Sequence, residues 1–581
     1  MSETPVHLRN RRSNYDRFPS VPGGDENECT IGWPAICDRL TQTGARIFVI
    51  EASPGVHARN LEELARSLSP AAAIDVAEAL KPESDIDALV AADVTDDPVF
   101  GKLTHLRLDD FFDETKLKEL QRSVETAAGR VVVYGAGASL VSMQGVLVYA
   151  DVSRWETTLR LRRGEFANLG ASNAGDSVRA RYKRAWFVDW RVADRRKKDL
   201  FDDMDFVLDL NDDPKMISAD AMQRALAAAA RRPFRLVPYF DPAPWGGQWM
   251  KKVCGLDESV DNFGWCFDCV PEENSLLLAF GEKRFEIPSM NLIWRHAEEV
   301  LGEAVYGRFG DEFPIRFDFL DTVEGSNLSL QVHPLTEYAH DQFGLHYTQD
   351  ESYYLLDAEP DASVYLGVKQ GVDREAMLRD LRDAELGESS FDAEKYVNRF
   401  PAKRHDHFLI PAGTIHCSSR CMVLEISATP YIFTFKLWDW DRPGLDGLPR
   451  PVHVDHGANV IRWERDTAYA QQRLINQVTK IAEGDGWLEE RTGLHEAEFI
   501  ETRRRWFTKT APHGGHGGVS VLNLVEGEEA IVESPRGSFE PFVVHYAETF
   551  VVPAAAGTFT MRPAADGVRC GTVEAFVRTK A

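Results

Sequence analysis

The chain has 581 residues, 66 Lys and Arg against 92 Asp and Glu, and a formal charge of −26. That balance excludes a general nucleic-acid binder, whose phosphate contacts need a basic surface, but leaves room for a small anion held by a local cluster. At 44% hydrophobic residues the chain can bury real cores, about three or four of them at roughly 150 residues per domain.

The opening stretch "MSETPVHLRNRRSNYDRF" has no apolar core of the kind a secretory leader needs. No run reaches the ~20 apolar residues of a membrane span, so a cytoplasmic chain with no membrane partner is expected. "ARIFVIEAS" (45–53) predicts a buried strand and "NLEELARSL" a helix. "DETKLKELQRSVETAAG" (113–129) is a helix opened by Asp and closed by Gly, feeding the strand and glycine turn "RVVVYGAGAS" (130–139). "GVLVYAD", "AWFVDW" and "DFVLDL" are expected as further strands, and "ISADAMQRALAAAARRP" (217–233) as a helix. Strand–helix alternation predicts a mostly parallel α/β layer over residues 1–235.

Within that layer, Gly135 and Gly137 form a GxGxS turn after a strand, a position where backbone amides suit an anion. The GK[ST] ending of a nucleotide-binding loop is missing. Arg154, Arg160, Arg162, Arg163, Arg179, Arg181, Lys183, Arg184, Arg191, Arg195, Arg196, Lys197 and Lys198 follow within 45 residues. They fit a phosphate-binding lid or, preferably, a solvated helix face paired with acids. The layer as a whole is expected to be P-loop-kinase-like and degenerate, with a regulatory or scaffolding role.

From 236 onward the texture is all-β, with helical insertions at 290–307 and 373–386. Cys266 and Cys269 form a CxxC without a second pair, and buried thiols are the expected reading. In "NLSLQVHP", Gln331 and His333 point to one face of a strand because side chains alternate with period two. Glu351 opens the next strand in "DESYYLLD". "FLIPAGTIH" turns at Pro411 and Gly413 and places His416 at a strand start. A lone strand histidine is usually an ordinary polar residue. Two imidazoles, a carboxylate and an amide together are a donor set for zinc or another borderline divalent ion. Their order is that of the two cupin motifs, with glutamine in place of the first histidine.

The motifs carry the resemblance further. "PYFDPAPWGGQW" (238–249), "NLSLQVHP", "DESYYLLDAEPDASVYLGVK" (350–369), "FLIPAGTIH" and "LWDWDRPGLDGLPRPVHVDH" (437–456) resemble, in order, those of class I mannose-6-phosphate isomerases. The resemblance implies a double-cupin jelly-roll, with a metal-binding domain at 236–475 and a metal-free cupin at 476–581. It implies one Zn²⁺ per chain on Gln331, His333, Glu351 and His416, and a phosphosugar substrate interconverted through an enediol. Glu425, or His333 after ligand exchange, would shuttle the proton, although Glu425 could equally be a structural carboxylate. Lys436 is assigned to catalysis, and Ser329, Lys436 and Arg450 to the substrate. Two positions depart from the family pattern. Gln349 stands where a lysine is usual, and Lys436, one residue displaced, stands where an arginine is usual. Lysine keeps the charge but loses the planar fork, and Arg442 or Arg450 could supply it. The alternatives are a non-catalytic phosphosugar sensor and, in the N-terminal half, a sugar kinase.

Overall fold

The computed structural model describes residues 13–428, 433–493 and 498–579. The N-terminal strands are β1 (Ser20–Gly24), β2 (Thr30–Ile31), β3 (Ile47–Ala52), β4 (Ala72–Asp75), β5 (Val131–Gly135), β6 (Val146–Asp151), β7 (Phe206–Asp209) and β8 (Lys215–Ser218). β4-β5-β3-β6-β7 form a parallel sheet in that order, with β8 and then β2 added antiparallel at the β7 edge. β3 is buried at all six positions, as a strand at the centre of a sheet covered on both faces must be. Asp113 and Ser218 cap the helices Glu114–Thr126 and Ala219–Ala229 by accepting first-turn N–H bonds.

Three sequence expectations need correction here. "AWFVDW" is not a strand. It lies in a helical rod running Val178–Arg184, a π-turn at Ala185–Asp189 and Trp190–Leu200. Trp186, Phe187, Val188 and Trp190 are all buried, so no exposed face interrupts the apolar run and the helical period is hidden. The basic run is not a solvated face either. Arg160, Arg181, Lys183, Arg184 and Lys197 are buried. Arg160 donates to the Gly55, Leu210 and Asn211 carbonyls, and Lys197 pairs with Asp151, so these cations tie the unit together internally. The GxGxS amides are taken. Gly137 N–H and Ser139 N–H donate to the Glu51 carboxylate at 2.6 and 2.8 Å, so the anion in this cradle is a side chain from the neighbouring β3.

The second half carries β9 (Tyr239–Asp241), β10 (Trp265–Cys269), β11 (Ser275–Phe280), β12 (Lys283–Pro288), β13 (Arg316–Asp321), β14 (Leu330–Val332), β15 (Asp350–Val368), β16 (Val397–Pro401), β17 (His407–Ile410), β18 (His416–Ala428) and β19 (Phe435–Trp438). The main sheet has nine strands, with the path β16-β15-β18-β13-β10-β9 and with β14, β17 and β19 attached to β18, β15 and β14. The tail adds a six-stranded and a four-stranded sheet. These are open sheets by their hydrogen bonding, not the closed jelly-roll barrels expected. The helices Met290–Leu301, Thr336–Phe343 and Arg374–Glu385 interrupt the strand sequence, and the β15–β18 register shifts between Leu355 and Asp357 and between Ala358 and Ser363. Cys266 and Cys269 are buried free thiols. No helix among the described residues is long and apolar enough to cross a membrane.

The halves are welded. β1 pairs in parallel with β11, Trp155 stacks on Tyr239 at 3.8 Å, and Arg162 grips both Asp241 oxygens at 2.9 Å. Arg235 sits at the joint. Its Nη1 lies 2.7 Å from Glu548 and 2.8 Å from the Asp16 carbonyl, and Nη2 lies 3.8 Å from Asp268. Arg235→Met would leave two buried carboxylates without their cation. It is expected to cost about 3–5 kcal/mol, read as a lower urea midpoint by circular dichroism. An unchanged midpoint would show that the joint does not depend on this cation.

Candidate metal centre

β14 pairs antiparallel with β18 in the register Gln331 to His416, and with β19 in the register Gln331 to Lys436. Residues directly paired across a sheet share a face, so these strands alone assemble glutamine, histidine and lysine. Glu351 arrives from elsewhere. On β15 it pairs with Ser427, eleven positions beyond His416 on β18. A straight strand would separate those positions by ~36 Å at ~3.3 Å per residue, yet His416 Nε2 lies 2.8 Å from Glu351 Oε1. β17 closes that gap: Ile410 pairs with Glu351 on the other edge of β15, and the tight turn from Pro411 to Thr414 leads from Ile410 straight into His416.

His333 Nε2 lies 3.1 Å from Glu351 Oε2. One ligand atom from each of His333, Glu351 and His416 can be chosen so that all lie within 4.8 Å of one another, and all three residues are buried. The Gln331 amide reaches to 3.1 Å from His416 Nε2, so the four residues read from the sequence do converge. Both imidazoles are held the same way round. His333 Nδ1 donates to the Phe433 carbonyl at 2.8 Å and His416 Nδ1 to the Thr414 carbonyl at 2.9 Å. Each Nε2 is left facing Glu351, the orientation that backbone acceptors impose on metal-binding histidines. His333 Nε2 and Glu351 Oε1 are buried with no hydrogen-bond partner. Their close approaches lack hydrogen-bond angles, and a cation between them satisfies both. Burial alone would raise Glu351, but His333 and His416 outweigh it and hold the carboxyl well below its usual range. The donor set fits a divalent ion.

Ser329 does not face an open pocket. It is buried, and its hydroxyl donates to Gln331 Oε1 at 3.0 Å, which orients the amide. Glu425 is buried and pairs across the sheet with Asp318 and Tyr353. Burial, then Glu351 and Asp318, push its carboxyl well above the usual range. Lys436 is pushed down to about 7 by burial and by Arg450, against Asp439, with Arg179 and Arg442 adding to the depression. Arg450 and Arg442 are both committed to Asp439, at 2.5 Å each, so neither replaces the missing fork directly.

Two residues of the site had no role assigned from sequence. Gln349 donates to Glu351 Oε2 at 3.1 Å and to Glu425 Oε1 at 3.3 Å, and accepts the Phe433 N–H at 3.2 Å. Its place two residues before Glu351, just ahead of β15, was the available signal. Asp318 is pushed up to about 7 by burial, with Glu351 adding to the shift. Its signal was the alternation in "RFDFLD".

A family model described as a domain of unknown function (DUF8485) matches residues 32–231. Over 246 residues, 41% of this chain and 72% of the relative, the sequence is 25% identical to the mannose-6-phosphate isomerase ManA of Bacillus subtilis. It is 27% identical to the probable mannose-6-phosphate isomerase GmuF of the same organism over 39% of this chain and 68% of the relative. Among solved structures, the mannose 6-phosphate isomerase from Bacillus subtilis superposes with a TM-score of 0.48 at 20% identity, covering 60% of this chain and all of that one.

Proposed function

We propose that this chain is a metal-dependent aldose–ketose isomerase acting on a phosphosugar, mannose 6-phosphate being the substrate its relatives' names carry and fructose 6-phosphate the matching ketose. The observation that carries the reading is the convergence of His333, Glu351 and His416 with two orphaned buried donor atoms between them. Homology to mannose-6-phosphate isomerases over about 40% of the chain supports it.

Zn²⁺, one per chain, would be held by His333 Nε2, Glu351, His416 Nε2 and the Gln331 amide. Such an ion, when bound, polarises a carbonyl or hydroxyl oxygen and stabilises charge developing there. The chain's own residues supply the rest. Glu425, whose carboxyl is pushed well above its usual range by burial and by Glu351 and Asp318, fits proton transfer between adjacent carbons, which calls for a carboxyl shifted toward the working pH. Lys436, on the same face as Gln331, offers the charge for an oxyanion or phosphate. Gln349 fixes Glu351 and Glu425 relative to each other. Residues 1–235 read as a kinase-like α/β unit without a free phosphate cradle. The order β4-β5-β3-β6-β7 supports that reading, and a regulatory or scaffolding role follows from it.

The test is a coupled assay for fructose 6-phosphate formation from mannose 6-phosphate, before and after chelator dialysis and again with Zn²⁺ restored. Turnover lost to chelator and recovered with metal is expected. No turnover in the metal-loaded protein rejects the isomerase. A second reading, a phosphosugar-binding metal protein without catalysis, is favoured by Gln349, whose neutral amide stands where a lysine is usual, and by Lys436, which stands where an arginine is usual. It predicts binding by calorimetry with no turnover.

A further inference from the structure

A short turn of the N-terminal unit, residues 95–100, packs against the half of the chain that holds the metal centre. Thr95 takes a left-handed φ of 58°, and its hydroxyl donates to the Phe100 carbonyl at 2.8 Å. Asp97 Oδ1 accepts the Val99 and Phe100 N–H groups at 2.7 and 2.6 Å. The buried Lys183 ammonium binds the Thr95 carbonyl at 3.2 Å and also the Asp97 carbonyl. The turn is thus fixed from within its own unit, at the cost of a threonine in a conformation that favours glycine.

What the turn presents is Phe100, 2% exposed, seated among rings that all belong to the other half of the chain. Phe433 stacks on it at 5.4 Å, Phe435 meets it edge-on at 5.3 Å, and Phe343 and His453 lie at 5.4 and 4.9 Å. These are the separations at which aromatic pairs attract beyond their buried area. The second Asp97 oxygen meets His456 Nε2 at 2.9 Å, and Phe187 adds an edge contact to Phe433 at 6.2 Å.

Phe433 is where this packing meets the chemistry. Its carbonyl holds His333 Nδ1–H at 2.8 Å and its N–H holds Gln349 Oε1 at 3.2 Å. Through Gln349 the same backbone residue steadies Glu351 and Glu425. A shift of the Phe433 ring moves both backbone groups, and with them the imidazole of one ligand and the amide that braces another. Partners of this kind set ligand geometry and affinity nearly as much as the ligands themselves.

We propose that Phe100 is a positioning residue for the metal centre, so that the N-terminal unit is a working part of that centre rather than an appended domain. The proposal rests on the metal reading above. Its test uses the full chain with Phe100→Ala and, since that cavity could impair folding, Asp97→Asn, which loosens the turn without one. Leu64→Ala, in a separate apolar core of the same unit, is the control for general destabilisation. Zn²⁺ affinity is measured by competition with a chromophoric chelator, and site geometry by the visible absorption of the Co²⁺-loaded protein. Phe100→Ala and Asp97→Asn are expected to weaken Zn²⁺ by about 10–100-fold and to change the Co²⁺ band, while Leu64→Ala does neither. Unchanged affinity and band in both turn variants overturn the proposal, as does an equal loss in Leu64→Ala. A wild-type chain that binds neither ion removes the metal reading itself, a failure separable from the other two.

Discussion

Glu351→Ala is expected to empty the metal centre, taking the ion content from about one per chain to near zero, and to lower isomerase activity by roughly 10³ or more. That factor corresponds to the several kcal/mol of transition-state charge stabilisation a bound cation supplies. Glu351 is the one carboxylate of the four donors. Without it, two imidazoles and an amide face a divalent charge with no compensating anion in a fully buried site, which Coulomb's law in a poorly screening medium makes unfavourable. The metal-free protein should respond differently. Removing a buried carboxylate that sits 2.8 and 3.1 Å from two imidazole nitrogens takes away the neighbour that raises the His333 imidazole above its ordinary pKa, so the apo fold should lose some stability, chiefly below neutral pH, while keeping its structure. The two effects separate in one measurement. The wild-type thermal midpoint should rise with added Zn²⁺, since a ligand at about 1,000 times its dissociation constant adds ~4.1 kcal/mol to the folded state. The variant midpoint should not move. A variant that keeps stoichiometric metal after dialysis, or the same Zn²⁺-dependent shift, excludes Glu351 as a ligand.

How much of this centre could be read from residues alone follows from the distance over which each part is organised. Gln331 with His333, and the turn before His416, are organised within a few residues, where the two-residue period of a strand and the Pro-x-Gly turn act directly. The caps at Asp113 and Ser218 are legible for the same reason. The approach of Glu351 to His416 is not. It depends on β17 pairing with β15, Ile410 beside Glu351, and a pairing between segments far apart in the chain leaves no trace in the local pattern of either strand. The Glu51 carboxylate that fills the GxGxS cradle comes from a different strand 86 residues away in sequence, so local reading could see the cradle but not its occupant. "AWFVDW" failed for the opposite reason. The packing of the two halves buries every side of that helix, which erases the periodicity a reader relies on. The role of Phe100 leaves no mark at all, because a phenylalanine in a core and one seated against a ligand's backbone acceptor look alike until the partner is known.

Lys436→Met is expected to lower kcat/KM on a phosphosugar by about 10²–10³, the 2.7–4 kcal/mol that a single well-placed donor to a developing oxyanion is worth, and yet not to lower stability. The expectation joins two observations. Lys436 shares a sheet face with Gln331 through direct register, which aims it at the metal-binding side. Its ammonium, unlike those of Lys183 and Lys197, makes no hydrogen bond or ion pair with another described residue. The half-buried Lys436 ammonium sits beside Arg450 and Arg442, and desolvation together with the repulsion from Arg450 pulls it down to about 7, a cost to the folded state. A lysine kept for structure would be paired, and its loss would lower the midpoint. One kept for an anionic substrate opposes folding until that substrate arrives, the usual trade between activity and stability. Methionine keeps the length and apolar stem while deleting the charge, so the thermal midpoint should hold or rise as activity falls. Lys436→Arg should retain more activity than methionine, since it keeps the cation and adds the planar fork that suits phosphate. A methionine variant that turns over normally, or one that loses stability along with activity, assigns Lys436 to the fold and leaves the anion to be held by another group.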